Sequence, residues 1–369
     1  MRRRSFLQFG VAGTAFIACR PAMGAVFTTI DNPNKFTREA LYYNQTPRGI
    51  KCHLCPNRCN VTISRPGDCR TKVVQNNKLV TTAYGNPYYV NTETPENESL
   101  YHFKPGSKML ALGTAGCTSS CMYCIVWSVS QKSPAEVTHL ELFPEQAIKM
   151  CNQKNIKTIA YSYTEPVAFY EYMLDTAKMA RENGIGNVWV SNGSINDAPL
   201  RELAPYLDAA VIDVKAFSDA TYQKLTGNSI FPIFNTLKTL KELNVWTEIT
   251  HLLVPGWTDD FDLIKKMCDW MMENGFGATP LHFNKFKPMY RLTQLSPTPE
   301  QQLLKARDIA LSAGLQYVYI DNLPEHGSQQ TVCPKCNAVV VERKGMKVIT
   351  NHLQNGKCKK CQTTIPGVW

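Results

Sequence analysis

Gly116-Cys117-Thr118-Ser119-Ser120-Cys121-Met122-Tyr123-Cys124 is the stretch on which the reading of this chain turns. Cysteine pairs with two residues between them seldom bridge each other, so this spacing points to metal rather than to disulfides. A CxxxCxxC loop sets three thiolates around one face of a four-iron cluster. No fourth cysteine is near in sequence, so one iron is left open. An open metal position marks a reactive site, whereas a fully ligated one is usually structural or electron-transferring.

The loop follows an apolar run at residues 109–115, and similar runs recur at 157–163, 186–192, 208–214, 245–253 and 280–286. Between them lie helix-like stretches. In 166–182, Tyr170, Met173, Leu174 and Ala177 recur at helical spacing, and in 299–313 Leu303, Leu304, Ala306, Ile309 and Ala310 do so. Continuous apolar strands, each followed by a helix, predict a parallel sheet. The fold class is therefore α/β, a partial (β/α)6 barrel of TIM type over residues 108–325, with function gathered at the C-terminal ends of its strands.

Those strand ends are polar where a packed barrel needs no polarity. Tyr163, Thr164 and Glu165 end the second strand, Ser191 and Asn192 the third, Asp213 and Lys215 the fourth, Thr250 and His251 the fifth, and His282 lies on the sixth. Each has a plainer reading. Glu165 suits a helix N-terminus, Asp213 and Lys215 suit an ion pair, and the two histidines suit a hydrogen-bonded core. Four successive polar strand ends favour a shared ligand site.

Two four-cysteine modules flank the barrel. Residues 326–369 carry Cys333, Cys336, Cys358 and Cys361 at zinc-ribbon spacing, with Asn337 and Gln362 where ribbon knuckles commonly have glycine. Residues 25–107 carry Cys52, Cys55, Cys59 and Cys69, whose uneven spacing suits zinc or a second iron–sulfur cluster. That module reads either as a staple for a segment too poor in apolar residues to build a core or as an electron relay. His53 and His326 stand near the modules, but four cysteines already complete a tetrahedron. Cys151 and Cys268 share helical faces with apolar residues and are read as core.

Residues 1–24 have the layout of an export signal. Arg2, Arg3 and Arg4 precede Ser5-Phe6-Leu7, an apolar run and small residues near Gly24, a pattern like the twin-arginine signal. The apolar run is well short of the ~20 residues that cross a bilayer, and no later stretch is longer. The readings are a periplasmic protein, with lipid anchoring at Cys19 as a variant because Phe16-Ile17-Ala18-Cys19 is a loose lipobox, or a cytoplasmic one with an uncleaved basic end.

The chain has 369 residues, 40 Lys plus Arg against 30 Asp plus Glu, and a formal charge of +10. Alone, that surplus would suggest an anionic partner such as nucleic acid. Cleavage after Gly24 removes four arginines and no acid, which lowers +10 to +6. Two four-thiolate zinc sites at about −2 each and a three-thiolate cluster at about −1 bring the loaded protein near +1. No nucleic-acid partner is expected from composition, although a zinc-knuckle nucleic-acid binder stays as one alternative.

The cluster loop and the strand-end residues resemble the radical S-adenosylmethionine (SAM) superfamily. Tyr123 matches the aromatic before the last cysteine, and Tyr163-Thr164-Glu165-Pro166 a SAM-contacting strand end. Almost all of residues 40–369 is similar to one branch, the AmmeMemoRadiSam system radical SAM enzymes, relatives of pyruvate formate-lyase activating enzymes. The resemblance includes the Cys52 quartet, Tyr101-His102-Phe103-Lys104-Pro105-Gly106, Val254-Pro255-Gly256-Trp257, His282-Phe283, Tyr317-Val318-Tyr319 and Ile365-Pro366-Gly367-Val368-Trp369.

It implies a [4Fe-4S] cluster on Cys117, Cys121 and Cys124 and SAM chelated at its open iron. SAM would be contacted by Tyr123, Thr164, Glu165, Ser191, Asn192, Asp213, Lys215, Thr250 and His282. It further implies reductive cleavage of SAM to a 5'-deoxyadenosyl radical, which abstracts hydrogen from a small molecule or partner protein, with an external electron donor. The chain departs from the branch at Thr118, where Asn is usual, and at Ile125 and Val126, where Gln-Asn is usual. These departures keep open a second alternative, an exported electron-transfer or scaffold protein on the same fold without SAM cleavage.

Overall fold

The computed structural model describes residues 33–321, 323 and 327–369. The export segment with Cys19, and His326, lie outside the described residues. The central sheet has eight strands: β1 (Tyr89–Glu93), β2 (Met109–Gly113), β3 (Thr158–Tyr161), β4 (Gly186–Ser191), β5 (Ala209–Asp213), β6 (Trp246–Leu253), β7 (Leu281–Lys285) and β8 (Val318–Ile320). They lie side by side in chain order. The pairs from β2 to β8 are parallel, and β1 joins β2 antiparallel. Helices α1 (Pro144–Lys154), α2 (Tyr170–Glu182), α3 (Asp197–Leu203), α4 (Asp219–Thr226), α5 (Phe231–Glu242), α6 (Phe261–Glu273) and α7 (Glu300–Ser312) fill the crossovers.

Side chains alternate across each strand, and the alternation builds two apolar layers. Leu110, Leu112, Ile159, Tyr161, Trp189, Ile212 and Ile249 face outward into the helical layer, against Met173, Leu200, Ile233, Ile264 and Leu303. Met109, Ala160, Val188, Ala209 and Val211 face inward, where Leu100 and Phe103 plug the barrel. All five residues of β2 and all four of β3 are buried, which explains their unbroken apolar sequence. Cys151 and Cys268 are fully buried in the helical layer, as read from their apolar faces.

The six expected strands are all present, and two more extend the sheet. β8 is a three-residue edge strand. β1 falls within residues 25–107, so part of that segment completes the barrel sheet, while Cys52 ends the short strand Gly49–Cys52 and Cys59 directly precedes its partner Asn60–Val61. Residues 327–369 form a ribbon around the hairpin β9 (Val339–Lys344) and β10 (Lys347–Asn351). It is docked on the barrel. The Val368 N–H donates to the His102 carbonyl at 2.7 Å, and the Lys104 N–H to the Val368 carbonyl at 2.6 Å.

Candidate active site

The strand ends enclose a cleft of about 520 Å³ that takes in Cys117, Cys121 and Cys124 on one wall. Gly116 lets the loop leave β2 in this direction. Its φ is +87°, and an added Cβ would stand 2.3 Å from the Cys69 carbonyl oxygen, so only glycine fits. The cysteines are held by their own loop: the Ser119 N–H donates to Cys117 Sγ at 3.3 Å, and Cys124 Sγ lies 3.3 Å from Ser130 Oγ. Burial pushes the Cys117 thiol up, and it pushes Cys121 up to about 11 against the opposing pull of Lys215. Their ionisation is therefore linked to metal binding.

Seven of the nine residues expected to contact SAM line this cleft: Tyr123, Thr164, Ser191, Asn192, Asp213, Lys215 and Thr250. β5 and β6 place Asp213 beside Thr250 in register, and the Thr250 hydroxyl donates to the Asp213 carboxylate. The Lys215 ammonium donates to Asp213 Oδ2 at 2.7 Å. Burial opposes the lysine charge, but Asp213 together with Tyr123, Cys121 and Tyr222 outweighs it and holds the ammonium well above the usual lysine range. The Tyr123 hydroxyl is buried with no hydrogen-bond partner among the described residues, an orphan donor on the cleft wall.

Glu165 and His282 stand elsewhere. Glu165 is fully buried and spends its carboxylate inside the protein, accepting from the Val167 N–H at 3.0 Å, the Ser191 hydroxyl at 2.8 Å and the Asn192 N–H at 2.9 Å. It caps the 3₁₀ turn leading into α2 and braces the end of β4. Burial raises its carboxyl to about 7 despite those three bonds. Asn192 passes the brace on, its amide donating to Thr118 Oγ1 at 3.1 Å and Ser119 Oγ at 2.9 Å. The departure at Thr118 thus has a structural use.

His282 is fully buried on the barrel floor, 2.8 Å from both Asp321 Oδ1 and Glu248 Oε2. His251 is also internal, with Nδ1 2.7 Å from the Val214 carbonyl. Sequence reasoning missed Glu98, Ser99, Asn284, Lys285, Asp321 and Met346, all of which line the cleft. Asn284 was within reach: it lies two residues beyond His282, on the same strand face and one layer higher. Glu98, Ser99 and Met346 sit outside the barrel's strand–helix pattern, so periodicity gave no signal for them.

The two quartets differ. The ligand atoms of Cys333, Cys336, Cys358 and Cys361 all lie within 4.8 Å of one another, with Sγ separations of 3.5 Å for Cys333–Cys361 and 3.7 Å for Cys336–Cys358. Cys52, Cys55, Cys59 and Cys69 instead line a small cavity with Lys72 and Thr118.

Residues 112–268 match the family described as the Radical SAM superfamily. An uncharacterized protein of Methanocaldococcus jannaschii is 36% identical over 331 residues, covering 89% of this chain and 98% of the relative. The pyruvate formate-lyase-activating enzyme of Staphylococcus epidermidis is 26% identical over 222 residues, 55% of this chain and 88% of that one. The crystal structure of Streptococcus suis SuiB bound to S-adenosylmethionine superposes with a TM-score of 0.47 at 11% identity, over 65% of this chain and 56% of that chain. By its cluster loop, its strand order and its sequence relatives, the chain belongs to the radical SAM superfamily.

Proposed function

We propose that this protein is an enzyme that cleaves SAM reductively over a four-iron cluster held by Cys117, Cys121 and Cys124, and begins radical chemistry on a substrate admitted to the same cleft. The observation that carries this reading is the convergence of three thiols, the orphan Tyr123 hydroxyl and the Asp213–Lys215–Thr250 group on one cavity. The donors fit the cofactors: three soft thiolates suit iron–sulfur and leave one position open, and a lysine suits a carboxylate.

When bound, a reduced cluster would supply the single electron that splits SAM into methionine and a 5'-deoxyadenosyl radical able to take hydrogen from a substrate. The chain supplies placement. Lys215 offers its charge to an anionic group, and Asp213, held by Lys215 and Thr250, keeps a fixed acceptor in the cleft. Glu165 and Asn192 hold β4 against the cluster loop. Leu252, Phe286 and Val190 add apolar surface to the same cleft, which limits water around a reactive intermediate.

The likeness to pyruvate formate-lyase-activating enzymes supports hydrogen abstraction from a partner polypeptide as the substrate class. The C-terminal quartet is assigned zinc. A tetrahedral ion with Zn–S near 2.3 Å sets its sulfurs about 3.8 Å apart, close to the 3.5 and 3.7 Å found. The arginine-rich start supports export after cofactor loading, which fractionation of the producing cells tests.

The test of function is anaerobic purification, a count of iron, zinc and sulfide, and addition of dithionite with SAM. A brown protein that forms 5'-deoxyadenosine is expected, and Cys121→Ala should lose that product by at least a hundredfold while keeping its zinc. A brown protein that leaves SAM intact would support the electron-transfer alternative instead.

A further inference from the structure

The SAM cleavage proposed above makes no use of the N-terminal quartet, yet the quartet is built against the cluster loop. Cys52 and Cys55 are buried and Cys59 and Cys69 half-buried, and all four line one cavity. The turn that brings them together is closed by the Cys52 N–H donating to the Cys59 carbonyl at 3.0 Å. A single zinc ion would need these sulfurs about 3.8 Å apart. Among the described residues, only the C-terminal quartet gathers three or more such ligand atoms within 4.8 Å of one another. The N-terminal thiols do not close to that spacing, and neither do those of the Cys117 triplet. In a four-iron cluster each thiolate holds a different iron, which accommodates thiols set wider than a single ion needs.

Lys72 turns an ammonium toward the cavity, and its buried partner Glu171 at 2.5 Å balances that charge. Contact with the other cluster loop is direct. The Cys69 carbonyl touches Gly116, the Arg70 guanidinium donates to the Cys117 carbonyl at 3.5 Å, and the Asn57 amide donates to the Thr118 carbonyl at 2.9 Å. Thr118, one residue past Cys117, itself lines the quartet's cavity.

We propose that Cys52, Cys55, Cys59 and Cys69 ligate a second iron–sulfur cluster that passes single electrons to the cluster on Cys117, Cys121 and Cys124. It takes one electron from an external low-potential carrier protein of the ferredoxin or flavodoxin class and gives the same electron to its neighbour. There the electron breaks a carbon–sulfur bond of SAM, releasing methionine and the deoxyadenosyl radical. No proton moves. The relay half rests on the function proposed above; ligation of the cluster does not.

The test uses the full chain, reconstituted anaerobically with iron and sulfide. About eight irons and one zinc per chain are expected; about four irons and two zincs overturn the proposal. A Cys117→Ala, Cys121→Ala, Cys124→Ala triple variant leaves the quartet intact and should keep about four irons, a brown colour and a reducible electron paramagnetic resonance signal. A colourless triple variant that still binds two zincs overturns it as well. In the reduced wild type the two clusters should broaden each other's spectra, and the triple variant should lose that broadening; two independent spectra overturn the relay. If the triple variant keeps its cluster while the wild type leaves SAM intact, SAM cleavage fails and the second cluster stands.

Discussion

His282 illustrates how one residue's depth, rather than its type, decides its role. It lies between Asp321 and Glu248 with no exposure. Burial disfavours its charge, but the two carboxylates overcome that and raise its pKa to about 9, while Glu248 is held below the usual carboxylate range. A folded pKa above the unfolded value means that the native state binds the proton more tightly. The stabilisation is therefore complete below pH 6.5 and is lost as pH rises through about 9. The shift corresponds to roughly 3 kcal/mol. The melting temperature should fall between pH 6.5 and 9, and His282→Gln should flatten that slope; a wild-type profile already as flat as the variant's would count against the pair. In the sequence His282 reads equally as a ligand contact or a core histidine, and that reading does not tell that Asn284 and Asp321 stand above it at the cleft. Glu165 was legible as a polar strand end and as a helix cap, but its brace to Asn192 needs two loops folded together, which no local pattern records.

Among the elements, the loop after β2 concentrates the most constraint. Gly116 combines a φ of +87° with an approach of 2.3 Å between its would-be Cβ and the Cys69 carbonyl oxygen. An L-residue at that φ costs about 1–2 kcal/mol before any clash is counted. Gly116→Ala should therefore destabilise the chain by roughly 2 kcal/mol or more and push the Cys69 and Cys117 loops apart. Iron content after reconstitution, together with the melting temperature, checks this; an alanine variant with full iron and unchanged melting would refute the close fit. The same loop was the most readable part of the sequence, because thiol spacing survives any backbone path. The six apolar strands were readable because burial on both faces leaves an unbroken run. β1 and β8 were not. β1 is half-exposed and polar at an edge, and β8 is three residues long, too short to show a period.

For the molecule as a whole, the C-terminal ribbon belongs to the catalytic body. Met346, at the tip between β9 and β10, lines the cleft, and Arg343 in β9 reaches through the ribbon into the barrel plug. Its guanidinium donates to the Tyr101 carbonyl at 2.6 Å and Thr331 Oγ1 at 2.9 Å, and its Nε stands 3.6 Å from Glu96. Arg343 and Glu96 are both fully buried as side chains. Burial raises the Glu96 carboxyl, and Arg343 opposes that rise. Tyr101 in turn ties this contact to the floor, since its N–H donates to Glu248, the partner of His282. Removing one member of such a pair strands the other and costs about 3–5 kcal/mol, whereas replacing both with neutral groups costs much less. Arg343→Ala should thus loosen the ribbon, seen as faster hydrogen exchange in β9 and β10 and earlier proteolysis of residues 327–369. Arg343→Met combined with Glu96→Gln should recover most of the lost stability. If the double variant unfolds as readily as Arg343→Ala, the ribbon is held by its backbone pairing to His102 and Lys104 rather than by the buried charge. If it recovers, the ion pair sets how firmly Met346 is held over the cleft.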